Sequence, residues 1–282
     1  MPFPPWSRAE SKFSPVSMLR LMMSRARWST AVFAVLSGLL PAVAGASQTV
    51  TLHAAFSPDQ LGKSTTILIH FEIGATVTLV PSPVTDIDLS LPPGMGLGTT
   101  ELGITTCDPV TLLERGPKGC SPNSYLGFGS ATAEVPFGPI IVHEPVGIGM
   151  FMGPAVHNHT AMLFYVNAKT PVSAQLVFPA LLLQGAGSFE SAHLNTIIPL
   201  TPTLPDGLDV SVVDIRTSFG PRGLTYYKRA RGGYVRYRPI GMAVPAKCPK
   251  GGFKFSAEFH FQDGSAATAS ARVACPRSVR HR

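Results

Sequence analysis

Two histidines, His157 and His159, flank Asn158, and on an extended chain such i and i+2 positions point to one side. With His143 and Glu144 nearby in sequence they offer donors for a metal ion. A pair falls short of the three or four ligands a zinc site requires, and the preceding Gly153-Pro154 marks a polar turn. The turn is the reading adopted, and no metal ligand is assigned. Asp206, Asp209 and Asp214 in LPDGLDVSVVD lack the closely spaced oxygen series of a calcium loop, and Asp206-Gly207 reads as a turn leading into a strand. Asp86 and Asp88 sit on the wet face of an alternating stretch rather than forming a catalytic pair. There is no G-x-S-x-G elbow, no H-E-x-x-H and no Walker loop. No catalytic residue and no cofactor is therefore expected.

The densest chemistry is YYKRARGGYVRYRP, Tyr226 to Pro239, with five basic residues, four tyrosines and no acid. A hairpin turning at Gly232-Gly233 would place Arg231 opposite Tyr234, Arg229 opposite Arg236 and Tyr227 opposite Arg238. Those six residues form the candidate ligand-binding face, while Tyr226, Lys228, Ala230, Val235 and Tyr237 turn toward the core. Directly opposed arginines repel, which calls for acids from a neighbouring strand or a bound polyanion. The competing reading is a solvated edge hairpin whose charge discourages aggregation.

The compartment decides which polyanion is relevant. Arg20, Arg25 and Arg27 precede the apolar run AVFAVLSGLLPAVAGA, Ala31 to Ala46, which ends in a small-x-small pattern. This reads as a secretory signal over residues 1–46, cleaved after Ala46. Sixteen residues containing Gly38, Pro41 and Gly45 fall short of the roughly 20 needed to span a bilayer. Cleavage removes five of the 23 basic and one of the 16 acidic residues, which leaves 18 and 15, a charge of +3. An exported chain so near neutrality does not fit nucleic acid. The expected partner is an anionic envelope polymer or lipid headgroup, and no integral span remains after cleavage.

The elements that must position these residues read as strands. TTILIHFEIG puts Ile67, Ile69, Phe71 and Ile73 on one face, TDIDLSL does the same with Ile87, Leu89 and Leu91, and GGFKFSAEFHFQDG with Phe253, Phe255, Ala257, Phe259 and Phe261. Further strands are expected over 47–56, 131–135, 140–142, 161–167, 172–178 and 208–217. In CDPVTLLERGPKGC, Asp108 can cap a short helix that starts at Pro109 and ends at Gly116. The 27 glycines, 27 prolines and only 14% charged residues favour short strands over long helices. The fold class is accordingly all-β: an antiparallel β-sandwich, one large or two of immunoglobulin-like size, with one short helix in a disulfide-closed loop. The domains expected are 47–146 and 147–276, with a basic tail over 277–282. All four cysteines lie in the exported part and read as Cys107 with Cys120 and Cys248 with Cys275, the second pair meeting across the open end of a hairpin.

The DQLGKSTTI start, PSPVTDIDLSLPPGM, the CDPV block with GCSPNSYLGFGSA and the KCPKGGFKFSAEFHFQDG to VACP ending resemble a group of uncharacterised secreted actinobacterial β-rich proteins with two cysteine pairs. The resemblance covers nearly all of residues 56–276. It implies an exported, disulfide-bonded β protein and brings no catalytic residue with it. The expectation for function is a non-catalytic binding or structural module of the cell envelope or extracellular space. The alternative is a secreted hydrolase with a loop-built site, which would need His143, Glu144, His157 and a carboxylate to converge.

Overall fold

The structure, a computed structural model, describes residues 48–95, 101–137, 139–171, 173–184, 192–203 and 208–276. The expected signal segment, the basic tail and Asp206 lie outside them. In chain order the strands are β1 (Gln48–Ser57), β2 (Ser64–Ala75), β3 (Val84–Ser90), β4 (Tyr125–Phe137), β5 (Ile140–Met152), β6 (Thr160–Ala168), β7 (Ala174–Leu183), β8 (His193–Ile197), β9 (Ser211–Phe219), β10 (Tyr226–Ala230), β11 (Gly233–Tyr237), β12 (Met242–Ala243), β13 (Phe253–Phe261) and β14 (Ala266–Val273). One α-helix, α1 (Pro109–Arg115), precedes β4.

All strand pairs are antiparallel, and the order across the main sheet is β1-β2-β9-β4-β5-β6-β7-β8-β3-β13-β14, with β12 added beside β2. The two ends of this order, β1 and β14, lie against each other, so the sheet is nearly closed. The all-β expectation holds. The boundary expected at 146/147 falls inside β5, and strands from both sides of it alternate across the sheet.

Alternation dictates which residues face inward. β13 reads buried, exposed, buried throughout, and Phe253, Phe255 and Phe259 are fully buried against Phe56 and Phe71. A one-residue slip would send these rings to solvent, so the pattern holds the register. On the outside of β5 and β6, α1 covers Phe151, Leu163 and Tyr165 with Leu112. The helix begins as its sequence requires: Asp108 Oδ2 accepts from Thr111 N at 2.8 Å, Pro109 takes the first turn, and Gly116 leaves it at φ +63°. Both disulfides form as expected, Cys107–Cys120 at the ends of the helical loop and Cys248–Cys275 across the open end of the β13–β14 hairpin.

Candidate ligand site

β10 and β11 form a separate two-stranded ribbon. Its register is Tyr227 opposite Arg236 and Arg229 opposite Tyr234, with Arg231 and Gly232 in the turn and Arg238 beyond β11. Tyr227, Arg229, Tyr234 and Arg236 do share one face, but each arginine faces a tyrosine. The expected pairing of Arg229 with Arg236 does not form, because the turn sits one residue earlier than Gly232-Gly233. The repulsion that called for a counter-charge therefore does not arise. The ribbon is anchored by Tyr226, which is fully buried. Its hydroxyl donates to the Tyr125 carbonyl and accepts from Gly103 N at 2.8 Å, and burial pushes its pKa up to about 12. Asn123 clamps the next residue, accepting from Tyr227 N at 2.8 Å and donating to its carbonyl at 2.7 Å.

The histidines do not converge. His157 and Asn158 both have positive φ, 48° and 64°, between the paired Val156 and His159, which is the mirror-image tight turn that a two-residue hairpin uses. His143 lies on the outer face of β5, 3.7 Å from Glu134, while its neighbour Glu144 is buried in the interior and accepts from Thr170 N at 2.6 Å. Successive residues of a strand point to opposite faces, so His143 and Glu144 cannot serve one pocket. Asp88 pairs with His193 at 3.1 Å, Asp86 accepts from Asn195, and Asp209 accepts from Gln262.

A polar cluster that sequence spacing alone did not bring together lies on the outer face of β1, β2 and β9. His70 Nε2 is 2.7 Å from Asp214 and 3.7 Å from Glu72, the His53 ring stacks on His70 at 5.6 Å, and Arg216 donates to both oxygens of Asp214. Burial pulls the Asp214 carboxyl up, but hydrogen bonds and charge from His70 and Arg216 outweigh it and hold it below the ordinary value. His70, Glu72 and Asp214 have donor atoms within 4.8 Å of one another, the one group among the described residues that could hold a metal ion. Arg216 already supplies the positive charge that the carboxylate demands, so the cluster is a satisfied ion-pair network. Its members come from strands 144 residues apart that meet only in the sheet, and local spacing carries no signal of that.

Among the described residues, two apolar spaces lie inside the sheet. One lobe of ≈ 140 Å³ is walled by side chains such as Ile69, Phe71, Leu89, Met162, Phe164 and Phe178. A second of ≈ 130 Å³ is walled by Ala133, Val146, Ala168, Ala174 and Leu200, with Glu144 in its lining. Ile148, Val166, Phe178, Ile198 and Ile215 border both lobes. Eight strands close around an interior that side chains just fill, and diameter grows with strand number, so this eleven-strand path encloses more room than its inward residues occupy. Alanines at inward positions of β4, β6 and β7 widen the second lobe. An apolar void of about 150 Å³ stays dry and admits a benzene-sized molecule. Local spacing carries no signal for these spaces, which depend on which strands become neighbours in the sheet.

No protein-family model, curated protein or solved structure matches the chain. Among the described residues no helix is long and apolar enough to cross a membrane.

Proposed function

We propose that this is an exported, non-catalytic binding protein of the cell envelope or extracellular space that holds a small apolar molecule inside its sheet. The observation that carries the reading is the pair of adjoining apolar lobes. Left empty, a void of that size costs about 3 kcal/mol, so a space kept open by inward alanines argues for an occupant. The two disulfides support export, as does the resemblance to secreted β-rich proteins. As architecture, β2 and β9 face β3 and β8 across the first lobe, so we read the sheet as a flattened barrel with the two facing layers of a sandwich.

Thermal unfolding in buffer saturated with benzene, toluene or a short alkane tests the binding. Occupancy raises Tm, since a ligand at 100 times its Kd stabilises by about 2.7 kcal/mol. Ala133→Leu fills the second lobe and should lower the bound stoichiometry. Unchanged Tm with every apolar ligand would remove the reading.

The face of exposed Arg229, Tyr234 and Arg236 with half-buried Tyr227 supports a contact with anionic envelope polymer or lipid headgroups for the same protein. Replacing Arg229, Arg231, Arg236 and Arg238 by Ser should abolish salt-sensitive retention on wall polymer, and unchanged retention would exclude this face.

A further inference from the structure

One end of the main sheet gathers the C-terminal ends of β2, β4 and β8. Glu72 lies opposite Asp214 near the start of β9, Glu134 opposite Ser211, and Ile197 opposite Asp86 near the start of β3. The loops at this end are tied together: Ser211 Oγ donates to the Pro81 carbonyl at 2.6 Å, Gln262 N to the Pro83 carbonyl at 2.8 Å, and Ile198 N to the Thr85 carbonyl at 2.9 Å. They nevertheless turn large apolar side chains to solvent. Leu79 is 88% exposed and Val77 79%, and Ile140, Ile197, Leu200 and Leu208 are exposed as well.

The stretches 75–85, 139–142 and 196–203 contain no Asp, Glu, Lys or Arg. Charged groups at this end sit on the strands or in other turns: Glu72 and Asp214 in the His70 cluster, Glu134 beside His143, Asp86 with Asn195, Lys169 in the β6–β7 turn, and Asp209 and Asp263, which accept hydrogen bonds from Gln262 and from Gln48 and Ser265. Uncharged loops that display Leu, Ile and Val and are braced by backbone hydrogen bonds suit the hydrocarbon boundary of a bilayer, where a charge would be costly and scattered apolar tips are not. Leu200 belongs both to this exposed rim and to the wall of the second lobe, so the apolar surface runs from outside to inside without a polar break at that residue. That continuity selects a lipid surface over a protein partner, since it joins the rim to a space shaped for apolar cargo.

We propose that this end docks on a lipid bilayer, with Val77, Leu79, Ile197 and Leu200 entering the interface, and that an apolar molecule passes there between the bilayer and the second lobe. The docking stands on the rim itself; the passage rests on the binding reading above.

Residues 43–282 form their own compact unit, so the exported protein without its expected leader can be used. It should float with vesicles of phosphatidylcholine alone, equally well in low and high salt. The double variant Val77→Ser with Leu79→Ser and the single variant Ile197→Ser should each lower vesicle-bound protein at least tenfold with Tm unchanged, because these three side chains face solvent and line neither lobe. Absence of flotation, or flotation that both variants retain, overturns the docking. Salt-sensitive binding confined to anionic vesicles and lost with the hairpin arginines assigns the contact to β10–β11 instead, and self-association lost in the rim variants assigns the rim to a second copy of the chain; either overturns it. Apolar-ligand binding measured without vesicles reports on the lobes separately. Flotation without any such binding leaves the docking and removes the passage.

Discussion

Tyr226 joins three separate segments through one hydroxyl: the loop at Gly103, the start of β4 at Tyr125, and its own ribbon. Tyr226→Phe keeps the ring and leaves the Gly103 N–H without its acceptor, which should cost about 1–3 kcal/mol in denaturant unfolding. Its pH signature is distinctive. A phenol whose folded pKa is raised from 10.0 to about 12 contributes stability that is fully present below 10 and is lost as pH rises through 12. Titration of Tm across that window should show a loss in the parent protein that the Phe variant lacks. Asp214 behaves oppositely. Its depressed value means that its contribution is present above the ordinary carboxylate range and disappears as pH falls through the folded value. Asp214→Asn should cost up to about 1 kcal/mol at neutral pH and flatten the acid limb below pH ~4. A variant whose acid limb matches the parent would show that the His70 and Arg216 contacts contribute nothing. Gly103 is held at φ +62°, and a Cβ there would strike Met152 and Leu126 below 3.0 Å, so a side chain at this position is strained.

At the scale of elements, the disulfides divide the work differently. Cys248–Cys275 ties the open end of a hairpin whose rings are already deep in the core, whereas Cys107–Cys120 closes a helical loop laid on the outside of β5 and β6. Loop-closure entropy gives about 3.5 kcal/mol for the first and about 3 kcal/mol for the second. Paired Cys→Ser variants measured by urea unfolding should lose roughly these amounts, and non-reducing peptide maps should show only these two links. Elements with a strong local pattern were legible in the sequence: β2, β3 and β13 by alternation, α1 by its cap and its terminal glycine. β8 was not, because His193–Ile197 has only five residues and a weak apolar alternation. β4 and β5 were seen only as fragments, since Gly127, Gly129, Gly147 and Gly149 interrupt the apolar alternation that marks a strand. In the ribbon only Tyr226 of the expected core side is fully buried: Lys228, Ala230 and Val235 are exposed, and the turn falls one residue earlier than expected. The turn places Arg231 and Gly232 at its tip with positive φ at Gly232 and Gly233 but not at Arg231, and the anchoring of Tyr226 and Tyr227 accompanies this register.

For the whole molecule the decisive fact is the strand order. β9 inserts between β2 and β4, and β8 pairs with β3, so neither the first nor the last part of the chain owns a complete sheet. A fragment of residues 47–146 would hold β1 to β3 without β8, β9 or β13, and only half of β5. It should show no cooperative unfolding, while the chain from 47 to 282 unfolds in a single transition followed by circular dichroism. Composition and alternation were enough to identify a disulfide-bonded all-β protein. The interior lobes and the outer His70 cluster were out of reach, because both depend on which strands become neighbours after long excursions of the chain. Sequence patterns report the face of a strand but not its partner.

β1 and β14 touch along their length without sharing a ladder. Every other junction between neighbouring strands of the wall is stitched by backbone hydrogen bonds, so this one is the seam. Amides of β1 and β14 that point across it should exchange with solvent well before those of β4 or β9, and faster still if an occupant swells the interior. An occupant too bulky for either lobe would find its room there, by parting two strands that share no backbone ladder.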